Sequence, residues 1–274
     1  MKRGKNQRFF RSAFFTKNQR GQVTIFIIAG IILIGAIGLF FVFQKGFLPQ
    51  IGEAKETNPA SYMDSCLSDK IKESIKLISI RGGYMENSLS KIFKFEDENT
   101  FYNISYLCYN QNYYSPCVNQ QPMLIRHLKQ ELEKSISEDV RECFDSLTSS
   151  FEKQLYVVDA KYNGFDVELM PDKVVINIDS EIVLTKDGTT KQDGFKINVP
   201  TKFYNLALVV QEIVSQEARF CHFDYLGYMM IYRDFDIDKF RTGDLDTIYS
   251  VSDRYETKEM FRFAIRGCTI PPGI

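Results

Sequence analysis

The chain has 274 residues, 34 of them Lys or Arg and 35 Asp or Glu, for a net charge of −1. Residues 1–22 hold seven bases and no acid, so the remainder carries 27 bases against 35 acids, a balance of −8. An acidic body of this kind argues against binding to nucleic acid or to an anionic membrane surface, since both need a concentrated positive field.

The bases Lys2, Arg3, Lys5, Arg8, Arg11, Lys17 and Arg20 precede an uncharged run of 21 residues, 23–43. At about 1.5 Å per residue that run makes a helix of roughly 31 Å, which matches the hydrocarbon core of a bilayer. The sequence predicts a transmembrane helix over 23–43, with the lipid bilayer as its partner. Basic flanks stay on the cytoplasmic side. Residues 1–22 are therefore expected to be a cytoplasmic tail or leader, 44–58 a linker, and 59–274 an extracytoplasmic domain of the cell membrane. The run exceeds the apolar region of a secretory leader, and "FVFQKGFLPQ" lacks a small-x-small cleavage site, which favours a retained anchor. Gly30, Gly35 and Gly38 are not spaced by four, so no specific helix-dimer face is expected.

The residues before the run, "NQRGQVTIF", resemble the class III leader of archaeal type IV pilins and archaellins. That resemblance implies cleavage between Gly21 and Gln22. The fifth position of the resulting chain is a Glu in those families and Phe26 here, a departure that counts against helix assembly more than against processing. The chain as a whole resembles a set of uncharacterised single-pass surface proteins from small-genome archaea, in its "RGQVTIF" start, a "SCL…GGY" segment and a C-terminal "FRFAIR" strand. The resemblance implies a surface location and brings no activity with it.

All six cysteines, Cys66, Cys108, Cys117, Cys143, Cys221 and Cys268, follow the apolar run. An even number confined to the outer side suits a disulfide framework in an oxidising compartment. The 15 possible connectivities are not separable by sequence; the expected set is Cys108–Cys117 as a local loop, Cys66–Cys143 between two helices, and Cys221–Cys268. No C-x-x-C pair occurs, and His127 and His222 are the two histidines. A structural zinc site needs close ligand pairs, so neither a metal nor another cofactor is expected.

The domain is expected to be α+β, with a helical part over about 59–150 and a β-meander part over about 151–274. The first helix begins at Pro59, with Asn58 or Thr57 as cap. Met63, Cys66, Leu67, Ile71, Ile75 and Ile78 give it one apolar stripe, and Gly82-Gly83 ends it. Residues 95–121 are rich in Asn, Tyr and Gln and are expected to form a loop with short strands. Within them Asn103-Ile-Ser105 is an acceptor pattern for N-glycosylation. A second helix is expected from Pro122 to about Leu147, with Leu124, Leu128, Leu132, Ile136, Val140 and Phe144 spaced by four and packed on the first helix.

From Leu155 the period changes to two. Leu155–Tyr162 and Phe165–Met170 flank Asn163-Gly164, a hairpin signal, and "KVVINIDSEIVLTK" and "FKINVPTKF" follow after turns. This predicts an antiparallel meander of about four strands, covered by the helix bearing Leu206, Val209, Val210, Ile213 and Val214. "DTIYSV" and "MFRFAIRG" are expected to add two strands.

For chemistry, Asp234, Asp236 and Asp238 alternate as in the opening of a calcium loop. Lys239 and Leu245 then stand where such a loop needs Gly and Glu, which favours a solvated strand face. Cys221-His222 adjacency makes no catalytic dyad, and no motif of an enzyme is present. The sequence therefore points to a structural or interaction protein of the cell surface, working with other surface proteins and open to homo-oligomerisation. The alternatives are a pilin-like subunit processed after Gly21 and a tethered surface binding protein or enzyme.

Overall fold

A computed structural model describes Ile28, residues 30–34, 58–96, 98–255 and 258–267. The expected span 23–43 lies mostly outside the described residues, as do Gly21, Gln22 and Cys268; Ile28 and residues 30–34 are helical. Among the described residues no helix is long and apolar enough to cross a membrane. The chain divides into two units, Met1–Lys55 and Glu56–Ile274, and the second holds the sheets and the helices packed on them.

Helix α1 (Pro59–Ile80) starts as its sequence requires. Pro59 occupies the first turn, and the Asn58 side chain accepts from the Ala60 N–H at 3.0 Å. Its stripe of Met63, Leu67, Ile71, Ile75 and Ile78 is buried. The helix stops where Gly82 and Gly83 take φ of +79° and +90°, and the Gly83 N–H donates to the Ile78 carbonyl at 2.8 Å. Glycine adopts such angles without a Cβ penalty. At Gly82 the need is also spatial, because a Cβ there would lie 2.9 Å from the Ser105 carbonyl oxygen.

Three strands follow: β1 (Ser90–Phe93), β2 (Tyr102–Tyr109) and the two-residue β3 (Val118–Asn119). The expected loop over 95–121 thus contains an eight-residue strand that is buried over Ile104–Cys108. Helix α2 (Leu124–Lys153) packs along α1, with Leu128, Leu132, Ile136 and Val140 fully buried. It begins two residues after Pro122 and runs past Leu147, because Phe151 continues the buried stripe by another turn.

Strands β4 (Val157–Met170), β5 (Lys173–Thr185) and β6 (Thr189–Pro200) make a three-stranded antiparallel sheet, β4-β5-β6. Asn163-Gly164 is a bulge rather than a hairpin turn: Tyr162 pairs with Ser180 and Gly164 with Asp179, so Asn163 is the extra residue. The two expected strands are therefore one. The β5–β6 register shifts at the same level, between Ile178 and Glu181. Such paired irregularities bend a long ribbon and raise its local twist.

Helix α3 (Phe203–Phe220) buries Leu206, Val209, Val210, Ile213 and Val214, and touches strands of both sheets. A short helix α4 (Tyr225–Ile231) leads to β7 (Phe235–Arg241), β8 (Thr247–Asp253) and β9 (Met260–Arg266). These do not extend the meander. They form a second sheet of order β1-β2-β9-β8-β7, with β3 paired to β2. Its central pair, β2 and β9, is parallel, which joins two segments more than 150 residues apart.

Candidate functional site

The structure pairs Cys66 with Cys143 and Cys108 with Cys117, at Cα separations of 6.0 and 5.3 Å. The first bond staples α1 to α2; the second closes the loop between β2 and β3. Cys221 is disulfide-bonded as well and caps α3 in a left-handed conformation, so it offers no free thiolate beside the exposed His222. Asn103 is exposed but belongs to β2, opposite Ile92 of β1, rather than to a loop. Asp236 and Asp238 lie on the exposed side of β7, where Asp236 pairs with Arg254 at 3.1 Å. His127 is half-buried in α2; its Nε2 donates to the Gly83 carbonyl at 2.9 Å and its ring lies 4.3 Å from that of Tyr84. Burial holds its pKa below the ordinary value, against the opposing pull of Glu131.

Three polar constellations that the sequence reading did not single out join side chains far apart along the chain. In the first, Glu217 on the buried side of α3 accepts from the Tyr249 hydroxyl of β8 and from Lys239 Nζ of β7 at 2.9 Å. Burial, then the charge of Glu217, raises the Tyr249 pKa far above its usual value. An acid four residues after Ile213 and three after Val214 falls within the apolar stripe of α3, and that misplacement is the signal available in the sequence.

In the second, the Tyr106 hydroxyl donates to Asp246 Oδ2 at 2.9 Å, and Lys91 Nζ lies 3.2 Å from the same oxygen. Burial raises the Tyr106 pKa as well.

The third surrounds Arg262. Strand alternation sends Phe261, Phe263 and Ile265 into the main core and turns Arg262 and Ala264 to the other face, where Ala264 joins the smaller apolar cluster that includes Phe95. Arg262 is 4% exposed. Its guanidinium lies 3.9 Å from the Phe95 ring centre and 4.8 Å from that of Tyr102, and both Nη atoms donate to Glu98. That pairing holds the Glu98 carboxyl below the ordinary carboxylate range.

Arg262 lines a cleft of about 650 Å³ formed by α1, the end of β6 and the start of β9. Lys72, Ile75, Lys76 and Ser79 reach it from α1 because positions 0, 3, 4 and 7 share one helix face. Two further clefts, of about 740 and 800 Å³, lie beside Tyr84–Ser88 and between Met123 and Leu169. Among the described residues, no group of three or more His, Cys, Asp or Glu side chains is placed to hold a metal ion. The cleft around Arg262 thus brings together the basic side chains of Lys72, Lys76, Lys258 and Arg262, the carboxylates of Glu98 and Glu259, and an apolar wall that includes Ile75 and Met260. Comparison with protein-family models, curated proteins and solved structures returns no match for the chain.

Proposed function

We propose that this is a single-pass, membrane-anchored extracytoplasmic protein with a structural or interaction role at the cell surface. The observation that carries the reading is the pair of structural disulfides, Cys66–Cys143 and Cys108–Cys117, inside the acidic unit that follows the uncharged run. Bonds of this kind form and persist in oxidising compartments. The seven-base flank before the run gives the matching orientation. Labelling of intact cells with a membrane-impermeant amine reagent, followed by peptide mass spectrometry, tests the topology. The reading expects modification of exposed lysines such as Lys72 and Lys76, with Lys2, Lys5 and Lys17 protected. Labelling of the N-terminal lysines alone would reverse the topology and remove the proposal.

A further inference from the structure

The cleft beside the second half of α1 departs from the acidic character of its domain. Its wall carries Lys72, Lys76, Lys258 and Arg262 against Glu98 and Glu259. Both carboxylates are engaged within the wall. Glu98 takes the two Nη groups of Arg262, and Glu259 Oε2 accepts from the Thr201 hydroxyl at 2.8 Å and the Lys202 N–H at 2.7 Å. Lys72 lies 3.6 Å from Asp69, whereas among the described residues Lys76 and Lys258 have no carboxylate within ion-pair distance.

Arg262 supplies the second observation. A guanidinium presents its N–H groups as a planar fork, and Glu98 occupies only the Nη side. The Nε–H is buried and has no hydrogen-bond partner among the described residues. A buried donor left unmade costs free energy until an acceptor reaches it. The remaining wall is apolar, from Ile75, Ile80, Pro200 and Met260. The volume falls within the range of about 300–1,000 Å³ typical of sites that enclose a small molecule.

We propose that this cleft binds a small organic anion, with its carboxylate or phosphate group held by Lys76, Lys258 and Arg262 and its apolar body against Ile75, Ile80 and Met260. Recognition of this kind combines fixed positive charge with an apolar surface, so neither half of the ligand suffices alone.

The test uses the full chain in nanodiscs of zwitterionic lipid at low ionic strength. Phenylacetate, phenyl phosphate, the neutral phenylacetamide and inorganic phosphate are titrated by saturation-transfer NMR. The proposal expects phenylacetate or phenyl phosphate to bind, and the tighter of the two names the head group. Phenylacetamide and inorganic phosphate should each bind at least about 10-fold more weakly, the effect of losing one good ion pair or the apolar contact. The Lys76→Glu/Lys258→Glu variant, in which both residues are exposed, should weaken the better anion by about 10-fold or more with an unchanged melting temperature. Arg262→Lys, which keeps the charge and removes Nε, should weaken it too, and the lysine variant keeps the test independent of any loss of folding at that buried site. Equal binding of the acid and its amide would overturn the proposal. So would an unaffected lysine variant, or no binding of any probe up to about 10 mM.

Discussion

Replacing Cys66 and Cys143 together by alanine removes the staple between α1 and α2 and frees a loop whose ends are 77 residues apart. Closing a loop of that length in the unfolded chain is worth about 4.5 kcal/mol at 25 °C by the chain-entropy relation. The same relation gives about 2.6 kcal/mol for Cys108–Cys117, whose separation is 9. The helix pair has apolar contact besides the bond, since Leu128, Leu132, Ile136 and Val140 of α2 are fully buried. The loss should therefore come from a freer unfolded state, with the native fold retained. Guanidinium unfolding of the full chain in detergent, followed by helical circular dichroism, measures both variants. The expected order is a loss of about 3–4.5 kcal/mol for Cys66→Ala/Cys143→Ala and about 2–2.6 kcal/mol for Cys108→Ala/Cys117→Ala. A larger loss from the short loop, or a loss below about 1 kcal/mol from the long one, would refute the reasoning.

At Gly82, alanine meets both a φ of +79° and backbone atoms of Ser105 at 2.9–3.0 Å; Gly82→Ala should cost about 1–3 kcal/mol, and an unchanged melting temperature would show that the turn relaxes freely. Tyr249→Phe removes the hydroxyl that donates to the buried Glu217 and leaves Lys239 as a remaining partner; a loss of about 1.5–3 kcal/mol is expected in the same unfolding assay, and none would mean that Glu217 is satisfied without it. His127 has a folded pKa below its ordinary 6.5, so the stability gained by keeping it neutral is present above pH 6.5 and lost as pH falls through the folded value. Wild type should accordingly lose more stability than His127→Gln between pH 7.5 and pH 5, by at most about 1.4 kcal/mol per pH unit, and parallel curves would contradict this.

Elements whose pattern is local are legible in the sequence. The α1 stripe, its proline start and glycine stop, the four-spaced face of α2, and the alternation of Val174, Ile176 and Ile178 in β5 all depend on neighbours within one element, and the structure places them as read. The sequence allows short strands within 95–121 but not the position or length of β2, because both its faces are covered: Ile104 and Tyr106 pack in one apolar cluster, Leu107 and Cys108 in the other. A strand buried on both sides loses the alternation that betrays strands, and its Asn and Tyr content resembles a loop. The Asn163-Gly164 bulge reads as a hairpin because the dipeptide suits either; pairing with the 13-residue β5 along its whole length decides for one continuous strand. The Arg262 cleft draws on α1, β2, β6 and β9, whose meeting rests on a parallel pairing that no local pattern encodes.

The central claim is an oxidised, outward-facing domain held by an uncleaved anchor. Intact mass of the membrane-extracted protein, taken without reductant and after thiol alkylation, tests it most directly. The predicted result is a full-length chain in which all six cysteines resist alkylation. Six alkylated thiols would contradict the claim, by placing the domain in a reducing compartment; a chain lacking residues 1–21 would instead replace the retained anchor with a processed, pilin-like subunit.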